Sequence, residues 1–164
     1  MAVTVRPLDA SERSLLERAT LENLNWNAPR YTLDDVRIRP DFAHYTRLQP
    51  DRGDFGLVAV VESEVVGVVW AMYLLAHDPG FGFVDAKTPE LSIWVRPDHR
   101  NRGIGRRLLR CISSEARHRG IAAISLSVEE GNPARHLYVS EGFIDQPAPG
   151  VMLRRAGDGS DTPA

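Results

Sequence analysis

The most constraining stretch of this chain is ELSIWVRPDHRNRGIGRRLLRCISSEARHRGIAAISLSV, from Glu90 to Val128. It opens on the apolar, β-rich run ELSIWV, which Arg96-Pro97 ends, and closes on a second such run, AAISLSV. Between them Ile104, Leu108, Ile112 and Ala116 recur at four-residue spacing, with Arg106, Arg107, Arg110 and Arg117 off that stripe. The spacing predicts an amphipathic helix from Gly103 to about Arg119, with Gly120 as its C-terminal cap. A strand, a helix and a strand in immediate succession exclude an all-α and an all-β fold and point to a mixed α/β domain.

The turn RNRGIG opens the helix. The first N–H groups of a helix have no partner within it, and the helix dipole puts partial positive charge there. Gly103 and Gly105 remove side chains from that end, so an anion can reach the N–H groups directly. Arg100, Arg102 and Arg106 add forked donors suited to phosphate oxygens. A solvated basic loop, with its glycines serving only the turn, reads the same letters equally well. Two nucleotide motifs fail here: the Walker form needs Gly-Lys-Ser/Thr, and the dinucleotide form needs a third glycine where Leu108 stands. Seven residues, Arg96 to Arg102, also separate Val95 from Gly103, where a dinucleotide turn follows its strand closely. Glu129, at the end of the next strand, keeps a ribose-binding role open for that weaker reading.

Around this unit the chain predicts an opening strand in VTVRPL and a helix from a capping box at Asp9 and Glu12 to about Leu24. Short helices follow at Thr32–Asp35 and Pro40. FGLVAVVE and VVGVVWAMYLL predict an antiparallel hairpin turning at Ser63 and Glu64. AHDPGFGFVDAKTP is a loop long enough to suggest function. NPARHLYVSEG predicts a short helix with Pro133 at its first position, and FI and VMLRR two closing strands. Residues 1–155 then form a single domain, and the polar tail AGDGSDTPA, residues 156–164, is expected to be disordered.

At 164 residues the chain is long enough for one well-buried core. A net charge of −2 leaves no global basic field for nucleic acid, so basic function has to be local. The single cysteine, Cys111, excludes an internal disulfide and any multi-thiolate zinc site, and its place on the helix predicts a core thiol. His44, His77, His99, His118 and His136 lack metal-ligand spacing, which predicts no metal and surface or loop roles. The longest apolar run, Val65 to Ala76, is too short to span a bilayer, and the N-terminus lacks signal-peptide character, so a cytoplasmic protein is expected.

LSIWVRPDHRNRGIGRRLL resembles the acyl-CoA signature of the GNAT superfamily of N-acetyltransferases: strand, Val-x-Pro, then Arg-x-x-Gly-x-Gly on a helix. GNPARHLYVSEGF is similar to that superfamily's Asn-Pro-Ala-x-x-Leu-Tyr-x-x-x-Gly-Phe segment. Together the two cover Glu90 to Phe143. The resemblance implies a central, mostly antiparallel twisted sheet of six to seven strands with a splayed parallel pair, flanked by about four helices. It implies acetyl-CoA as donor and a primary amine as acceptor, on a small molecule or a peptide, with direct attack in a ternary complex. A non-catalytic CoA-binding sensor and a dinucleotide-dependent oxidoreductase are the alternatives. No nucleic-acid or membrane partner is implied, and a homodimer stays open.

By the same resemblance, cofactor contacts fall to Ile93, Trp94 and Val95 on the strand, to Arg100, Asn101, Arg102, Gly103, Ile104, Gly105 and Arg106 in the turn, and to Asn132, Arg135 and Tyr138. Ile93 and Val95 would bond pantetheine through main chain, with the Val95 N–H facing the acetyl oxygen. Tyr138 matches the tyrosine near the sulfur, a candidate acid, and reads equally as a packed helix residue. Glu90 matches a glutamate that takes the amine proton through water, and reads equally as a strand-end carboxylate in solvent. Asn132 also suits a helix cap. Trp26, Tyr31, Trp70, Phe81, Phe83, Asp78 and Asp85 are candidates for a partly aromatic, acidic acceptor pocket, or simply for core and loop packing.

Overall fold

The computed structural model describes residues 2–157. Its strands are β1 (Thr4–Pro7), β2 (Phe55–Val61), β3 (Glu64–Met72), β4 (Glu90–Val95), β5 (Ala123–Ser127), β6 (Ile144–Asp145) and β7 (Val151–Arg155). Its helices are α1 (Arg13–Leu24), α2 (Leu33–Ile38), α3 (Pro40–Ala43), α4 (Ile104–His118) and α5 (Ala134–Ser140). All seven strands join one sheet in the order β1-β2-β3-β4-β5-β7-β6. Every pairing is antiparallel except β4 with β5. The mixed fold with one parallel pair is the expected one, and a doubly wound dinucleotide sheet is not formed.

The β2–β3 hairpin turns at Glu62 and Ser63, one residue earlier than expected. Both have positive φ, 50° and 69°, the conformation a two-residue type I′ turn requires, and Val61 already pairs with Glu64. β4 pairs with β3 along its whole length, from Glu90↔Met72 to Val95↔Gly67. With β5 it shares one register pair, Glu90↔Ser125, beside a bond from Ser125 N–H to the Pro89 carbonyl at 3.1 Å. Beyond that point β4 and β5 separate, and the sheet opens.

The predicted α4 stripe is buried: Ile104, Leu108, Ile112 and Ala116, joined by Leu109, pack on Val66, Val69, Leu91, Ile124 and Leu126 of one sheet face. Burial of each large aliphatic side chain stabilises by about 1.5–3 kcal/mol. Leu16 and Ala19 of α1, with Tyr45, cover Val68, Trp70 and Trp94 on the other face. Cys111 lies off the stripe and is only half-buried, not the core thiol expected. Gly120 ends α4 as predicted, with φ 72° and the Ile121 N–H returning to the Ala116 carbonyl at 3.0 Å.

Thr32 and Asp35 start α2 as expected, and they do so through a reciprocal capping box. Asp9 and Glu12 do not form one at α1. Asp9 takes the Ser11 N–H at 2.8 Å, and Glu12 bonds Arg6 and the Asp9 N–H, so the helix starts only at Arg13. β7 is extended by a bond from Ala156 N–H to the Ala122 carbonyl at 2.8 Å. Of the tail expected to be disordered, residues 158–164 lie outside the described residues. Among the described residues no helix is long and apolar enough to cross a membrane.

Candidate active site

Gly103 is the N-cap of α4, with φ +80° and open space where a Cβ would stand. No side chain caps the helix, and its first turn holds no acidic residue. The first α4 N–H with an intrahelical partner is that of Arg107, on the Gly103 carbonyl at 3.0 Å. The N–H groups of Ile104, Gly105 and Arg106 therefore offer themselves to an anion. Asn101 and Arg102 are exposed, and Arg102 has no ion pair among the described residues. Arg100 donates Nε–H to the Val95 carbonyl at 3.1 Å, which ties the turn to the end of β4. A Cβ on Gly105 would meet Leu137 at 3.3 Å and Val95 at 3.7 Å, so the helix start sits against both β4 and α5.

Not every expected residue is brought to this turn. Arg106 reaches instead to the α5 end, where it pairs with Glu141 and the Ser140 hydroxyl. Arg135 pairs with Asp145 on β6 at 2.6 Å. Asn132 accepts the Ala134 N–H at 3.0 Å, so it caps α5, which begins one residue after Pro133.

The opened edge of β4 supplies main chain. Arg96 N–H donates to the Val66 carbonyl at 2.8 Å, so by ladder alternation Trp94 also faces β3, while Ile93 and Val95 face away from it. Their carbonyls accept from Asn23 Nδ2 at 2.9 Å and from Arg100, and their N–H groups lie on an edge without a strand partner. Trp94 differs from the two: its indole is buried, with the Arg18 guanidinium 5.0 Å from the ring centre.

Glu90 is not the solvated strand-end carboxylate that the letters allowed. It is 3% exposed. Its Oε1 accepts the Tyr45 hydroxyl at 2.7 Å and the Gly82 N–H at 2.8 Å, while its Oε2 is buried without a hydrogen-bond partner among the described residues. Desolvation pushes its pKa up to about 7, against the pull of those two donors. Tyr138 is buried on the opposite sheet face, edge-on to Phe143 at 6.0 Å between ring centres. Burial pushes its phenol up to about 12. A carboxylate with a pKa near neutrality thus lies on one face of the sheet and a protonated phenol on the other.

Sequence reasoning missed Tyr45, Asn23 and the Gly82 N–H, because nothing in the letters links residues 45, 23 and 82 to β4. His44, expected at the surface or in a loop, is buried against Tyr45 and bonds Asp78 at 2.9 Å. Of the suggested acceptor residues, Trp70 is core, with its indole N–H on the Tyr45 carbonyl, and Asp85 is exposed. Phe81 lies near Tyr45 and Phe42, both at 6.2 Å between ring centres, and Phe42 contacts Tyr31 at 4.8 Å. Glu129 is held by Arg30 at 2.8 Å.

A family model described as "Acetyltransferase (GNAT) family" matches residues 18–143. The L-amino acid N-acyltransferase MnaT of Escherichia coli K12 is 41% identical over 58 residues, which is 35% of this chain and 34% of that protein. The chain thus spans about a third of that relative's length. The fold is similar to ribosomal-protein-alanine N-acetyltransferase from Brucella melitensis (TM-score 0.66, 25% identity, 93% of this chain and 99% of that one). It is also similar to the PaiA N-acetyltransferase of Thermoplasma acidophilum, solved in complex with coenzyme A (TM-score 0.69, 20% identity, 94% and 99% covered).

Proposed function

Since the chain belongs to the GNAT family of acetyltransferases, we propose that it moves an acetyl group from acetyl-CoA to a primary amine by direct attack in a ternary complex. The observation that carries this reading is the buried Glu90, half-charged near neutral pH, at the point where β4 and β5 part. The free N–H groups of Ile104, Gly105 and Arg106, with Arg100 and Arg102, would hold the diphosphate, and Asn101 and Ile104 would shape the same turn. The Ile93 and Val95 N–H groups would pair with the pantetheine arm and polarise the acetyl carbonyl.

In the reaction the amine nitrogen bonds to the acetyl carbon and the carbon–sulfur bond breaks. The amine gives up a proton, and the thiolate gains one to leave as CoA thiol. An alkyl ammonium has a pKa of about 10, so a base is needed to supply the free amine at neutral pH. Glu90 takes that proton, directly or through one water, at Oε2. Tyr138 stays protonated across the physiological range and donates a hydrogen bond to the sulfur. Full transfer from a phenol at about 12 to a thiolate near 8.5 costs roughly 5 kcal/mol, so the phenol stabilises the leaving thiolate by its hydrogen bond, and the thiolate takes its proton from water. Small amines and peptide amines, amino acids among them, form the acceptor class.

The test is a thiol-release assay with acetyl-CoA and a panel of amino acids, polyamines and peptides, run from pH 5.5 to 9 on the wild type and Glu90→Gln. We expect turnover with at least one amine class and an acid limb near pH 7 in kcat/KM. Glu90→Gln should abolish that limb and lower kcat by about 10²-fold or more. An unchanged profile in the variant would remove Glu90 from the base role.

A further inference from the structure

Tyr45 has no counterpart in any motif of the chain, yet its hydroxyl lies between the carboxylate and the long loop that follows β3. It donates to Glu90 Oε1 at 2.7 Å and accepts the Phe81 N–H at 2.8 Å. The neighbouring Gly82 N–H reaches the same Oε1 at 2.8 Å, and the Phe83 N–H closes a turn on the Gly80 carbonyl at 3.2 Å. The loop approaches so closely that only glycine fits on either side of Phe81. A Cβ on Gly80 would lie 1.7 Å from Glu90 Oε2 and 2.6 Å from the Tyr45 oxygen. A Cβ on Gly82 would lie 2.6 Å from the Leu126 carbonyl carbon and 2.8 Å from the Ser127 nitrogen of β5. The segment therefore packs between Glu90 and β5 and covers Oε2 of the carboxylate.

We infer that Tyr45 is the positioning residue of the site: its hydroxyl orients Glu90, stabilises its ionised form, and latches Gly80–Gly82 over the carboxylate. This rests on the reading of Glu90 as the base. The phenol is suited to a fixed donor role, because burial, and then the charge of Glu90, hold its pKa far above the ordinary range. The surroundings of Glu90 leave the task to Tyr45. β3 offers Met72 as register partner and β5 offers Ser125, whose hydroxyl is buried without a partner among the described residues. The loop offers main chain. Of the titratable groups nearby, His44 and Asp78 pair with each other, and Asp41 acts on Tyr45.

Tyr45→Phe removes the hydroxyl and keeps the ring that faces Phe81 and His44, as well as the main-chain carbonyl that receives Trp70. The experiment has two readouts on the full-length protein. The first is a ¹³C-NMR titration of the Glu90 carboxyl, identified by its loss in Glu90→Gln, with hydrogen exchange at Phe81 and Gly82. The second is the pH dependence of kcat/KM. We expect the Glu90 titration to move up by about one pH unit, Phe81 exchange to quicken at least tenfold, and the acid limb of the rate to move up with the titration. A titration left in place in Tyr45→Phe overturns the inference, whatever happens to overall activity. A titration that moves while the rate profile stays still supports the role of Tyr45 and removes Glu90 as the base.

Discussion

At Glu90 the two carboxylate oxygens have different surroundings, one with two donors and the other with none among the described residues. That asymmetry leaves Oε2 unpaired beneath Gly80 while the carboxylate is held still through Oε1. Tyr138 is the complementary group, and its chemistry follows from burial without a charged neighbour: desolvation is the cause of its raised pKa. A group that donates only to the departing sulfur contributes to the transition state and little to the ground state. Tyr138→Phe is therefore expected to lower kcat by about 10–10²-fold while leaving the acetyl-CoA Kd within about twofold. Single-turnover kinetics and calorimetry read the two separately. Equal losses in both would make Tyr138 a binding and packing residue.

At the scale of elements, the site depends on how α4 is held against β4 and α5. Glu141, whose side chain is 6% exposed at the end of α5, binds both Arg106 and Arg110 of α4, the latter at 3.0 Å. Its carbonyl also receives Arg154 from β7 at 2.9 Å. One buried carboxylate thus fastens α4 to the helix that carries Tyr138. Glu141→Ala would leave two guanidinium groups facing one another over a void. It is expected to cost about 2–3 kcal/mol in chemical denaturation, with Glu141→Gln losing less because it keeps an acceptor. A loss under about 0.5 kcal/mol in the alanine variant would show that the tie does not hold the helices.

For the whole molecule, Glu90 and Tyr138 lie on opposite faces of one sheet, and β4 and β5 part beyond Glu90. Acetyl-CoA filling that gap would bridge both halves of the sheet. At about a hundredfold its Kd it is expected to stabilise by about 2.7 kcal/mol and raise Tm by roughly 5–10 °C, while NAD leaves Tm unchanged. The same thermal scans carry a pH signature. Folding raises the Glu90 pKa from 4.5 to about 7, so its contribution is full below 4.5 and is lost as pH rises through 7. Stability should fall by on the order of 3 kcal/mol from this group between pH 4.5 and 8, and the fall should be absent in Glu90→Gln. Parallel slopes in the two proteins would contradict the burial of a titrating Glu90.

What the letters determined by themselves was local. The α4 stripe, the glycine caps, the Thr32 box and the anion-ready helix start are each set by residues within a turn or two of one another. Which β4 residues turn their main chain away from β3 was set by the pairing with β3. The letters did not reach the Asp9–Glu12 box, which lost its Asp9 half to the Ser11 N–H, nor the destinations of Arg106 and Arg135, which met carboxylates on other elements. They left Glu90 between solvent and site, because burial of a strand-end carboxylate depends on what is packed over it. Only the tertiary structure brought Tyr45 and the Gly80–Gly82 segment onto that carboxylate, across 45 and 8 residues of chain. Contacts over such separations are set by the packing of whole elements on the sheet, and no local spacing encodes them.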